Sequence, residues 1–114
     1  MKKNTIALLA VLGAGILILA VFFGRVIVDP NSYLFSASGD AVKSYFNFSY
    51  YLKYDSGVDH NGINYPYGDH LQYINSHPIH AQIVKFLDKH VSPLSDYGVG
   101  ILNLGMILSL LFAL

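Results

Sequence analysis

The sequence predicts an all-α membrane protein in which two antiparallel transmembrane helices are joined by an extracytoplasmic loop with two short helices. Two uncharged runs support this prediction, at residues 5–23 and 99–114. At about 1.5 Å of rise per residue, the first run spans roughly 28 Å, close to the ~30 Å hydrocarbon thickness of a bilayer. The second run reaches only about 24 Å before the sequence stops. We therefore expect the chain to be part of a larger polytopic protein.

The predicted organisation has three parts, which are a transmembrane helix at 1–28, an extracytoplasmic loop at 29–97 and a truncated transmembrane helix at 98–114. Lys2 and Lys3 precede the first span, whereas residues 26–97 hold seven Asp and four Lys. Because positive residues stay cytoplasmic, the N-terminus is expected inside and the loop outside. Arg25 opposes this orientation as a single positive charge on the outer side.

A signal peptide is the main alternative for the first span. Signal-peptide apolar regions are typically about 7 to 15 residues long and end in small residues. Here the span ends in Phe22 and Phe23, so an uncleaved anchor is the better interpretation. The chain has no cysteine and no basic patch, which excludes disulfides and thiolate metal sites and gives no indication of nucleic-acid binding.

Local signals place two short helices in the loop, near 40–54 and 78–91, in addition to the long helices near 5–28 and 98–114. Turn residues at 38–40 precede the first short helix, and Pro78 suits the first position of the second. The spacing predicts one apolar face on the second helix, formed by Ile79, Ile83, Val84, Phe86 and Leu87. Residues 55–77 show no period and predict an irregular loop, whose length suggests a function.

Asp40 is the strongest candidate for a catalytic or metal-binding residue, and Lys43 lies one helical turn later on the same face. Such a carboxylate can act as a general base or as a ligand for a divalent cation, or it can simply cap a helix N-terminus. Asp29 is a second candidate at the membrane boundary, and it can equally end the first span before Pro30. The sequence alone leaves these alternatives open.

The histidines invite a metal hypothesis because imidazole and carboxylate groups suit transition metals. Their spacing matches no helical metal-binding pattern, so we expect solvated loop histidines at His60, His70, His77, His80 and His90.

The segments GDAVKSYFNFSYYLKYDSG and NGINYPYGDHLQYINSHP resemble the first external loop of bacterial multi-spanning glycosyltransferases of the GT-C type. The resemblance implies a multi-pass protein of the bacterial inner membrane with further transmembrane helices. It also implies a polyprenyl-phosphate sugar donor, a carbohydrate acceptor and a loop carboxylate that acts on the acceptor or binds a metal. Asp40 matches that carboxylate best and Asp29 less well. The expected substrate contacts are Lys43, Tyr65, Tyr67, Asp69 and His70.

The chain departs from several GT-C subfamilies because it has no paired Asp-Asp, Asp-Glu or Asp-x-Asp motif. Two other classes therefore remain open. One is a non-catalytic polytopic membrane protein whose loop serves packing or partner interaction, and the other is a complete small two-span protein.

Overall fold

In the computed structural model, the described residues are 2–73 and 77–113, and the chain is mostly helical, at about 67%. The described residues form four α-helices, which are α1 (Lys2–Val28), α2 (Gly39–Tyr54), α3 (Pro78–His90) and α4 (Gly98–Phe112). A 3₁₀ turn at Ser95–Tyr97 leads into α4. Two short antiparallel strands, β1 (Asp59–His60) and β2 (Asp69–His70), pair with Asp59 opposite His70.

The prediction of two membrane-length apolar helices is confirmed. The segments Asn4–Val28 and Ser95–Phe112 are long and apolar enough to cross a bilayer. Only 6% of the first and 28% of the second is buried inside the protein, unlike the core helix of a soluble domain. The antiparallel direction of these two helices stays a prediction.

The two short helices also lie where the sequence placed them, within a residue at each end. The strand pair was missed, because the segment 55–77 was expected to be irregular throughout. Strands of two residues are too short to show an alternating pattern, so the periodicity of the sequence carries no signal for them.

The chain divides into two compact units, of which the first comprises Met1–Tyr33 with Gly100–Leu114. Its polar contacts gather around Asn103, a fully buried side chain in α4. The Asn103 amide donates hydrogen bonds of 2.7 Å to the carbonyls of Pro30 and Tyr33. The Asn31 side chain in turn accepts a bond of 3.0 Å from the Gly100 N–H. These bonds satisfy backbone groups just beyond the end of α1, where no helical partner exists.

The second unit, Leu34–Val99, has its own small core. The central element is α2, whose apolar side chains are 0–1% exposed at Phe48, Tyr51 and Leu52. Leu71, just after β2, is fully buried with them, and α3 adds Ala81 and Val84. Lys85 of α3 also donates to the carbonyls of Tyr51 and Leu52 near the end of α2.

The apolar face predicted for α3 is, for the most part, not the side through which the helix packs. Val84 is buried, but the other four members are exposed, namely Ile79, Ile83, Phe86 and Leu87. The helix instead packs through the side that carries Ala81 and Val84. A small residue such as Ala81 allows close approach to α2, and sequence periodicity does not reveal which of two apolar sides a neighbour will use.

Candidate functional site

The connection between β1 and β2 presents two tyrosine rings to solvent. Tyr65 and Tyr67 are 90% and 92% exposed, and we call Tyr65, Pro66 and Tyr67 the tyrosine tip. The backbone below it is ordered, because the Asn64 carbonyl accepts bonds from the N–H groups of Tyr67 and Gly68 at 2.9 and 3.2 Å. The Asn64 side chain adds a 2.9 Å bond to Asp69.

A buried cluster at the base of this connection holds it to α2. The His60 side chain is fully buried, its Nδ1 accepts the N–H of Gly62 at 3.0 Å, and its Nε2 lies 3.1 Å from the Asn47 carbonyl oxygen. Since a carbonyl only accepts, Nε2 is the donor in its contact with Asn47. The expectation of a solvated His60 is therefore wrong.

Asp55 completes this cluster, which we call the histidine latch and define as Asp55, His60, Asn61 and Gly62. The Asp55 carboxylate accepts two bonds of 2.9 Å from Asn61, one from the backbone N–H and one from the side-chain amide. It also lies 3.4 Å from Nδ1 of His60, with both side chains almost completely buried. Each buried polar atom of the latch thus has a partner, which is the condition for burial without a large penalty.

The side chains of the latch are also closely packed. The Tyr50 ring stacks on the His60 imidazole, with centroids 5.4 Å apart and an angle of 11° between the planes. A Cβ at Gly62 would lie 2.7 Å from both His60 and the Tyr50 ring. Glycine is required there by this close approach.

Asp69 and His70 were expected to contact substrate, yet their polar atoms hold the tip in place. Asp69 accepts bonds from Asn64 and from the N–H of His70, the latter at 2.7 Å. His70 Nδ1 accepts the N–H of Gln72 at 3.2 Å. Both residues are half-buried below the tyrosine tip.

The other histidines differ from one another. His77 and His90 are exposed, as expected, whereas His80 is half-buried with its ring 5.4 Å from that of Phe48. Burial lowers the pKa of His80, with a smaller contribution from His77. Burial favours neutral imidazole because it removes water from the charged form.

Asp40 lies in the first turn of α2 with its side chain 83% exposed, 3.0 Å from the ammonium of Lys43. The reading of Asp40 as the helix cap is wrong, because the capping position belongs to Ser38, one residue before the helix begins at Gly39. Asp29 is exposed just after α1, and its N–H still donates to the carbonyl of Arg25. This fits its role as the end of the helix.

The predicted site residues form two separate groups. Among the described residues, no hydrogen bond or ion pair joins Asp40 or Lys43 to the tyrosine tip. No group of three or more His or Asp side chains in residues 2–73 and 77–113 is arranged to hold a metal ion. The structure thus pairs Asp40 with Lys43 and gathers Tyr65, Tyr67, Asp69 and His70 in the connection between β1 and β2, with no bond between the two groups.

An open groove of about 390 Å³ runs along another face of α2. Its lining is almost entirely apolar and comprises Leu34, Val42, Tyr45, Phe46, Ser49, Tyr50, Lys53, Tyr54 and Val99. Lys53 supplies a cation at its edge and forms a 2.7 Å ion pair with Asp96. At 3.6 residues per turn, Asp40 points roughly 160° away from Val42 around the helix. The carboxylate therefore does not face the groove.

Comparisons with protein-family models, with curated proteins and with solved structures give no match to this chain.

Proposed function

We propose that the chain is the first membrane hairpin and external unit of a bacterial inner-membrane sugar transferase that uses a lipid-linked donor. In this proposal the N-terminus is cytoplasmic, the unit Leu34–Val99 is extracytoplasmic, and further transmembrane helices complete the enzyme. The observation that carries the proposal is the tyrosine tip, which combines a firmly held backbone with two almost fully exposed aromatic rings.

Exposed tyrosines on an ordered turn suit carbohydrate. The face of a sugar ring carries C–H groups that pack on an aromatic ring, and the phenol hydroxyl adds a hydrogen bond. The backbone and side-chain bonds of Asn64 and the latch below it fix the turn before any ligand arrives. A binding surface that is ordered in advance loses less conformational entropy when it binds.

Asp40 is the proposed catalytic base. Its carboxylate is open to solvent and is oriented by Lys43, so an acceptor hydroxyl has free access to it. No bond joins Asp40 to the tip among the described residues, and in this proposal the tip binds a sugar unit other than the one that reacts, as in a chain of several sugars.

Sugar binding by the tip is measurable with the chain in detergent micelles. Saturation-transfer NMR with glucose, galactose, mannose and N-acetylglucosamine oligomers is expected to show contact with at least one of them. The double variant Tyr65→Ala and Tyr67→Ala should then weaken binding by about 5- to 160-fold, taking about 0.5–1.5 kcal/mol for each aromatic contact.

Tyr97→Ala is the matched control, because this tyrosine is 57% exposed but lies in the 3₁₀ turn before α4, outside the tip and the latch. Unchanged binding in the control and loss in the double variant support the proposal. Absence of binding to every sugar, or equal loss in both proteins, contradicts it. Circular dichroism of each variant checks that α2 and α3 remain folded.

The α2 groove favours a second candidate function, that of a non-catalytic binding protein for an apolar ligand. Its volume lies within the range of about 300–1,000 Å³ that is typical of ligand sites. A fluorescent fatty acid is a suitable probe. Saturable binding that Phe46→Asp abolishes and the tip variants leave unchanged would favour this function over the sugar transferase.

A further inference from the structure

The helix α3 carries apolar side chains on the side that faces away from the core of its unit. Ile79, Ile83 and Phe86 are 78%, 54% and 61% exposed, and we call these three residues the α3 stripe. Their spacing of four and then three residues puts them on one face of the helix. They lie roughly 140° to 200° around the helix from Ala81, which is fully buried.

Both faces of α3 are therefore apolar, but within residues 34–73 and 77–99 only the inner face is buried against another element. The inner face packs on α2 through Ala81 and Val84, and the ring of His80 contacts Phe48. On the outer face, the imidazole of His90 stacks on the Phe86 ring at 4.3 Å. A stripe of large apolar side chains in water is unfavourable at about 25 cal/mol per Å² of apolar surface, so it marks a surface that something covers.

The chain itself indicates what covers it. The helix ends at His90, and the apolar segment that could cross a membrane begins at Ser95, with only four residues between them. The five steps from His90 to Ser95 reach at most roughly 18 Å, so the end of α3 cannot lie far from the point where the chain enters the bilayer. At its other end, the unit begins a few residues after α1, which is the other candidate membrane helix.

The basic residues next to the α3 stripe also suit a bilayer surface. Lys89 and His90 lie in the last turn of α3, beside the C-terminal end of the stripe. Helices that lie in the bilayer interface combine large apolar residues on one face with basic residues at its border, where the lipid phosphates are. Val91, which caps the helix and is 74% exposed, extends the apolar surface toward the membrane segment.

We propose that α3 lies on the bilayer surface with the α3 stripe inserted among the lipids. The occupant of this face is the lipid itself, at the boundary between headgroups and acyl chains, at a depth of about 5–10 Å. The unit is thereby fixed to the membrane at a third place besides its two chain ends. The inference is independent of sugar binding, because it requires only that the flanking helices span the bilayer.

The absence of native cysteine permits a direct test. A nitroxide label is attached to Ile83→Cys in the full chain, reconstituted in vesicles of phosphatidylcholine and phosphatidylglycerol. Oxygen concentrates in lipid, whereas a nickel chelate stays in water, so the two collision rates report the depth of the label. The label at Ile83 should collide with oxygen and be protected from nickel, whereas the label at Lys89→Cys, on a flank of the helix, should collide with nickel.

Two results would overturn the proposal. Equal access of nickel to both labels places the stripe in water, and protection of the Ile83 label from both oxygen and nickel places it against protein. Ile79→Cys serves as a second reporter if the first label disturbs folding, because Ile79 is the most exposed member of the stripe. Circular dichroism of each labelled protein confirms the helical content before the measurement.

Discussion

At the residue scale, the histidine latch leaves no space for a side chain at Gly62. Gly62→Ala should destabilise the protein markedly, because the new methyl group would lie 2.7 Å from His60 and from Tyr50, and the fully buried His60 ring cannot withdraw. Overpacking of this kind typically costs about 1–3 kcal/mol. Thermal unfolding followed by circular dichroism measures the loss. Gly24→Ala, in helix α1 with open space around it, is the control and should not be destabilised, because alanine favours a helix more than glycine does.

Asp40 carries the catalytic part of the proposal, and Asp40→Asn separates its chemistry from its place in the helix. The amide nearly preserves the shape but removes the charge, and a general base contributes about 10²- to 10⁴-fold in rate. In membranes that contain the full-length enzyme, the variant should accumulate normally and lose most transfer from a polyprenyl-phosphate-linked sugar. Asp59→Asn, exposed on β1, should remain active. Equal activity of both variants would leave the proposed enzyme without a base at Asp40.

At the element scale, the Asn103 amide helps to hold the end of α1 beside α4. Asn103→Leu should destabilise the first unit, because the carbonyls of Pro30 and Tyr33 lose their donor, and an unsatisfied buried acceptor costs about 1–3 kcal/mol. Ser109→Ala is the control, since the Ser109 hydroxyl is exposed and bonds only within its own helix. Thermal unfolding in micelles should show a lower midpoint for Asn103→Leu alone, and equal midpoints would contradict this role.

The connection from α3 to α4 depends on a carboxylate, which makes it sensitive to acid. Asp88 accepts bonds of 2.5 and 2.7 Å from the N–H groups of Leu94 and Ser95, and these bonds hold its pKa below the usual value. Its contribution to stability is therefore complete above about pH 4 and is lost as the pH falls through the lowered pKa.

Asp88→Asn removes this titration but keeps an oxygen that can accept. Unfolding midpoints between pH 6 and pH 2 should fall less steeply for the variant than for the unmodified protein. Asp59→Asn should keep the full slope. Identical slopes for all three proteins would show that Asp88 does not link folding to pH.

The sequence predicted the helices well because their signals are local. Uncharged runs set α1 and α4, and Pro78 fixed the start of α3. The latch was not predictable in this way, since His60 is buried by contacts with Tyr50 and with Asn47, thirteen residues earlier in the chain. The sequence around a histidine in an irregular segment does not indicate such a partner. The position of Asn103 does indicate one, because an amide inside an apolar run usually has a structural or functional partner.

At the scale of the whole molecule, both proposals require that the two apolar helices cross the membrane. The sugar-transferase proposal also requires that the unit Leu34–Val99 lie on the outer side. If the helices did not cross, the tyrosine tip could not meet extracytoplasmic carbohydrate, and the α3 stripe would have no bilayer beside it. The central claim is thus a two-span arrangement with an external unit.

Labelling of single cysteines in intact bacterial cells tests this claim most directly, because the chain has none of its own. Tyr67→Cys, at the exposed tip, should react with a membrane-impermeant maleimide in intact cells. Asn4→Cys, at the cytoplasmic start of the first span, should react only after the membrane is permeabilised. Labelling of both positions in intact cells, or protection of the Tyr67→Cys variant until permeabilisation, would contradict the account.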